Sequence, residues 1–169
     1  MLDSSINIYH AAFNDVELKE VNFIKGKRKH YWCSNPERHG TMVVGIVSAY
    51  APKAKICLCC VSEDMVFVKE SVIAALEYLC DRVECQDLVI VMSFGCTLLT
   101  DEELGNTDDT DYRTTGKKRR RLINDLVGKG AVCIAAVGNR GLHVNNIASP
   151  AYLSNVIAVG GLDKNQWRI

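Results

Sequence analysis

The sequence predicts an α/β fold with a mostly parallel sheet flanked by helices, and two observations carry that reading. Several apolar runs of strand length are continuous rather than alternating, which predicts burial on both faces. Longer amphipathic stretches separate them, as the crossovers between parallel strands require. Composition agrees. With 169 residues, 48% of them hydrophobic and 24% charged, the chain is ordinary for one globular domain, which excludes a disordered tail, a collagen-like repeat and a coiled coil. Twenty basic residues balance twenty acidic ones, so net charge points to neither nucleic acid nor an anionic membrane surface as partner. No apolar run approaches the roughly 18 to 20 residues that span a bilayer.

Each element follows from local pattern. Lys55 to Val61 is a short apolar run preceded by Pro52, and it reads as a strand. Val68 to Val83 spaces Val68, Val72, Ile73, Leu76, Leu79 and Cys80 as one helical face. Leu88 to Ser93 is a buried-strand pattern. Thr97 to Gly116 is rich in acidic and other polar residues and predicts an exposed loop. Arg120 to Lys129 carries Leu122, Ile123, Leu126 and Val127 on one helical face, and Gly130 ends it. Ala131 to Val137 and Val156 to Val159 are further strands. Sites in such sheets lie past the carboxyl ends of strands, which directs attention to the loops after Val61, Ser93 and Val137.

Two features admit more than one reading. Lys117 to Arg121 (Lys-Lys-Arg-Arg-Arg) could be a nuclear-localisation signal, a nucleic-acid patch or a processing site. A solvated helix start, neutralised by the acidic loop before it, is favoured, since charge runs are usually solvated faces. The eight cysteines are 33, 57, 59, 60, 80, 85, 96 and 133. Several sit inside apolar runs, none forms the paired Cys-x-x-Cys spacing of a zinc ribbon, and reduced thiols are expected. A zinc site through His30, Cys33 and His39 lacks a fourth ligand at usual spacing, so no metal is assigned.

Three segments at the edges of these elements carry chemistry. Leu2-Asp3-Ser4-Ser5-Ile6 places an acid after a strand stub. Arg38-His39-Gly40-Thr41-Met42-Val43-Val44-Gly45 opens an apolar helix with a histidine. Ala136-Val137-Gly138-Asn139-Arg140-Gly141 sets an amide just past a strand. Each alone is weak, since an Asp at a strand end is usually a turn and an Asn between glycines usually another.

Together, in this order, they resemble the subtilisin-like serine protease family. His39-Gly40-Thr41-x-Val43-x-Gly45 is similar to its histidine motif, with Met42 where a second histidine is common. Asp3-Ser4-Ser5-Ile6, followed by His10, resembles the aspartate segment, with Ser5 replacing the usual glycine. Ser149-Pro150-Ala151 and Val156-Ile157-Ala158-Val159-Gly160 match a later strand, and Met92-Ser93-Phe94-Gly95 resembles the substrate strand. The resemblance runs from Asp3 to Asp163 and identifies residues 1–169 as one partial peptidase domain of that fold, incomplete at both ends.

The resemblance implies roles. His39 is the general base, Asp3 orients it and stabilises the imidazolium, and Asn139 donates to the oxyanion. Ser93, Phe94 and Gly95 pair with a polypeptide substrate as an added strand, and Gly138 leaves room beside it. No cofactor is expected. Calcium sites occur in the family, but no ligand set can be matched here. None of the serines (4, 5, 34, 48, 62, 71, 93, 149 and 154) stands in the family's Gly-Thr-Ser-x-Ala context. The implied function is therefore a fragment of an endopeptidase working through an Asp-His-Ser triad, inactive as an isolated chain. The alternative is a truncated pseudoprotease that only binds peptide. The N-terminal residues show no signal peptide. A complete chain would be cytoplasmic, and localisation is otherwise open.

Overall fold

The computed structural model describes residues 1–24, 39–63, 66–82, 85–95, 110–139, 147–162 and 164–165. It divides into two compact units, Met1–Ala75 and Leu76–Ile169. Both are α/β, and their strands pair mostly in parallel, as expected from the uninterrupted apolar runs.

The first unit is built around β3 (Ile56–Glu63), with β1 (Leu2–Ser4) and β2 (Leu18–Asn22) parallel to it on either side. A two-residue β4 (Val66–Phe67) adds antiparallel to its end. From Leu58 to Ser62 every residue of β3 is buried, which is the two-sided burial its sequence predicts. One core gathers Ile6, Phe13, Val44, Ile56 and Leu58, with Met1, Val16, Leu18 and Val47 packed on it. Full burial of a side chain such as Leu58 contributes about 1.5–3 kcal/mol.

Helix α1 (His39–Tyr50) enters that core through Gly40, Thr41, Val44 and Ser48, which recur about once per turn. Its other side is also apolar. Met42, Ile46 and Tyr50, again one turn apart, are 56%, 61% and 89% exposed. Helix α2 (Lys69–Arg82) follows the predicted face and buries Val72, Ile73, Leu76 and Leu79.

The second unit aligns β5 (Val89–Met92), β6 (Val132–Ala136) and β7 (Ile157–Val159) in parallel. Helix α3 (Thr110–Gly128) packs on β6 through a face that includes Ile123 and Leu126. Two expectations are corrected here. Residues 110–116, read as part of an exposed loop, form the first turns of α3, since one helix can carry polar residues at its start and apolar ones later. The continuous apolar strands β5 and β6 also alternate, their buried residues separated by half-buried ones and by the exposed Val89 and Val132, and β7 is exposed throughout. Continuity signals apolar surface on both faces, but it does not ensure that both are covered. Residues 97–109 lie outside the described set.

Cys57, Cys59, Cys80 and Cys133 are unbridged thiols. Cys57 and Cys59 stand two apart on β3. A hydrogen bond from Cys59 holds the Cys57 thiol down to about 6, against the opposing effect of burial, while Cys59 is pushed up. Burial raises Cys133 to about 11. Thiolates alkylate and thiols do not. Cys57 is therefore expected to react with iodoacetamide in a step that rises through about pH 6. Peptide mapping should find it labelled before Cys133, and Cys57→Ser should remove that early step. A labelling midpoint near the ordinary thiol range would contradict the assignment.

Candidate active site

Asp3 sits on β1 opposite Cys60 of β3, and the register shifts between Asp3 and Ser4. That irregularity lies at the carboxyl end of the strand, where an extra residue re-aims side chains. The Asp3 side chain is 0% exposed, which is costly for a carboxylate unless donors face it. Its Oδ1 accepts from the Ser4 N–H at 2.7 Å and lies 2.8 Å from His39 Nδ1. Its Oδ2 is buried and has no partner among the described residues.

His39 is the first residue of α1, and its ring is 29% exposed. A carboxylate can only accept, so the contact places the imidazole proton on Nδ1 and leaves Nε2 as an acceptor. This is the orientation a general base needs. It costs little motion to use, because one side of the ring is already fixed and the other is partly open.

Three contacts lock the start of α1 onto the end of β1. The Gly40 N–H donates to Ser4 Oγ at 2.9 Å. The Asn7 N–H donates to Thr41 Oγ1 at 3.0 Å. The Gly40 backbone lies so close to Ser4 that a Cβ there would fall 2.3 Å from the Ser4 carbonyl oxygen. Glycine at this position is therefore required by approach, and Ser4 supplies the acceptor for a helix-start amide. Ser5, where the motif usually has glycine, is buried and accommodated.

The family's sequence model matches residues 1–168, described as the subtilase family, peptidase S8. The chain belongs to the subtilase family. An epidermin leader peptide-processing serine protease from Staphylococcus epidermidis is 26% identical to this subtilase chain, over 99% of it and 43% of the relative. Among solved structures, a lanthipeptide protease superposes with a TM-score of 0.75 at 21% identity, covering 99% of this chain and 49% of the other. The nisin leader peptidase NisP of Lactococcus lactis does so with a TM-score of 0.73 at 22% identity, covering 99% and 56%. These likenesses show the subtilisin-like fold expected from the sequence. The chain spans about half the length of these relatives.

The other residues singled out in this subtilase fall in the second unit. β6 ends at Ala136, and its extension is pinned on both sides, with the Val137 N–H donating to Val159 O and the Ala148 N–H to Val137 O. Gly138 then takes φ +101°, a left-handed turn that side chains resist, and Asn139 follows, exposed. After β5, Ser93 is half-buried, Phe94 buried and Gly95 exposed. Ala148 joins the two segments, since a Cβ at Gly95 would fall 2.5 Å from its methyl and one at Gly138 3.3 Å from it.

Sequence reasoning assigned no role to Ser4, Gly40 or Ala148, because their importance lies in approach distances rather than in reactive groups. Gly141, His30 and Cys33 lie outside the described residues, and the zinc reading lies there with them. Among the described residues no three His, Cys, Asp or Glu side chains gather as metal ligands. No helix among them is long and apolar enough to cross a membrane.

Proposed function

We propose that this subtilase chain carries the general-base and oxyanion parts of a serine endopeptidase. The observation that carries the reading is the His39 Nδ1 to Asp3 Oδ1 contact at 2.8 Å, with Asp3 fully buried and the ring edge accessible. Asp3 orients His39. Nε2 then takes a proton from a serine hydroxyl and returns it to the leaving amine. Asp3, His39 and Asn139 include no nucleophile, so these residues alone form no acyl-enzyme. Asn139 donates its amide to the tetrahedral oxyanion. Ser93, Phe94 and Gly95 extend β5 towards an extended polypeptide, with Gly138 beside it. Relatives named for leader-peptide processing make the leader of a precursor peptide the substrate class to try first.

The test is cleavage of such peptides by the full-length protein, with labelling by a serine-directed fluorophosphonate. Turnover blocked by the label supports the proposal. Peptide bound without turnover or labelling supports the peptide-binding alternative instead. Asn139→Ala is expected to lower kcat by about 10² to 10³ with KM little changed, the scale of one lost oxyanion donor. A change in KM alone would assign Asn139 to ground-state binding.

A further inference from the structure

The basic run Lys117 to Arg121 is exposed at four of its five positions, as a solvated face should be, but it does not start a helix. It lies in the middle of α3, and four of its five members meet partners on the protein. Lys118 pairs with Glu77 at 2.6 Å, and Arg121 lies 3.8 Å from Asp125. Arg120 donates to the Tyr152 hydroxyl and stacks over its ring at 5.4 Å. Arg119 differs from the rest of the run. It falls on the helical face of Ile123 and Leu126, both fully buried, while its four neighbours in the run are exposed.

A guanidinium on a buried face requires acceptors that compensate for lost water. Arg119 Nη2 donates to Ser149 Oγ at 2.7 Å, and Ser149 is itself buried. Ser149 is bonded to Ala148, whose methyl fills the space a side chain would take at Gly95 and crowds the one at Gly138, 2.5 Å and 3.3 Å from a Cβ placed there. The Ala148 N–H also holds Val137 O, the strand end before Gly138, at 2.9 Å. Ala148 is thus a spacer between two segments that have no side chains of their own there. Its position follows that of Ser149. Further along, Asn155 Nδ2 donates to Asn124 Oδ1 at 2.9 Å, so α3 grips the same stretch at several points.

We propose that Arg119 is a positioning residue for the polypeptide substrate. By anchoring Ser149 it keeps Ala148 between Gly95 and Gly138 and so sets the spacing of the strand end and the turn that flank the substrate. The inference rests on the protease reading above. It adds a residue that touches neither the substrate nor the proton-transfer pair.

The experiment compares Arg119→Ala, Arg119→Lys and Ser149→Ala in the full-length protein. Peptide cleavage and amide hydrogen exchange are measured side by side. Arg119→Ala should raise KM roughly tenfold, the scale of one lost charged hydrogen bond, with kcat changed far less. Ser149→Ala should do the same, and the two effects should be less than additive, because both remove the Arg119–Ser149 contact. Arg119→Lys, which keeps a donor, should recover most of the loss. Exchange at the Ala148 amide should quicken in Arg119→Ala while the Gly40 amide is unaffected.

Unchanged Ala148 exchange would overturn the proposal whatever the activity. So would a loss of thermal stability without a rise in KM, or additive effects of the two substitutions. An unmodified protein that neither cleaves nor binds peptide would overturn the protease reading itself. Arg119 would then be only a brace.

Discussion

Asp3→Asn is expected to lower kcat of the full-length subtilase by about 10⁴ with KM nearly unchanged. The two side chains have nearly the same shape, so the buried site can keep its packing, and the loss is chemical. Two donors converge on Oδ1, the Ser4 N–H and His39 Nδ1–H. If the asparagine carbonyl stays there, the tautomer survives but the negative charge that stabilises the imidazolium is gone. Its amide then occupies the place of Oδ2, which has no partner among the described residues. If the amide turns to Oδ1, it opposes the Ser4 N–H and forces the His39 proton onto Nε2, removing the base. Steady-state kinetics with a fluorogenic peptide measure the loss. A fall of less than tenfold would remove Asp3 from the mechanism.

Gly40→Ala should be the most damaging single methyl in the first unit. The added Cβ would lie 2.3 Å from a backbone oxygen, that of Ser4, which cannot swing aside as a flexible side chain could. Helix α1 must lift or tilt at its first turn, losing the Gly40 N–H to Ser4 Oγ bond and separating His39 from Asp3. Stability should fall by about 3 kcal/mol, at the upper end for overpacking, and activity should fall with it. Urea denaturation gives the first number and peptide turnover the second. The His39 Nδ1–H proton signal should broaden into solvent exchange relative to the unsubstituted protein. A variant with unchanged midpoint and a sheltered Nδ1–H would show that the approach at Gly40 is not tight.

Much of the fold was legible because β3 and α2 are patterned by burial, and burial leaves periodicity in sequence. The dyad was legible because His39-Gly40-Thr41 and Asp3-Ser4 are short motifs whose order survives. What failed to show has physical reasons. The open face of β5 to β7 is composed of valine and isoleucine, and composition records what a surface would prefer rather than whether anything covers it. The start of α3 was hidden because polar helical turns and polar loops share residue types. Arg119 was hidden among four other bases, since a single charge on a buried face stands out only once the phase of the helix is known. The latch between Ser4 and Gly40 depends on a distance of approach, and one sequence contains no distances.

Asp3, Ser4, His39, Gly40 and Thr41 all lie within the first unit, and the contacts that join them need nothing from residues 76–169. The Asp3–His39 pair is thus contained in one compact unit. The residues proposed to meet substrate, Ser93, Phe94, Gly95 and Gly138, are encoded downstream of it. On the protease reading proposed above, selection could rewrite the peptide-reading segments, loop by loop, while the acid–base pair remains the same. A protein engineer could do likewise, recombining natural relatives at a crossover after Ala75 to exchange specificity and leave the base intact.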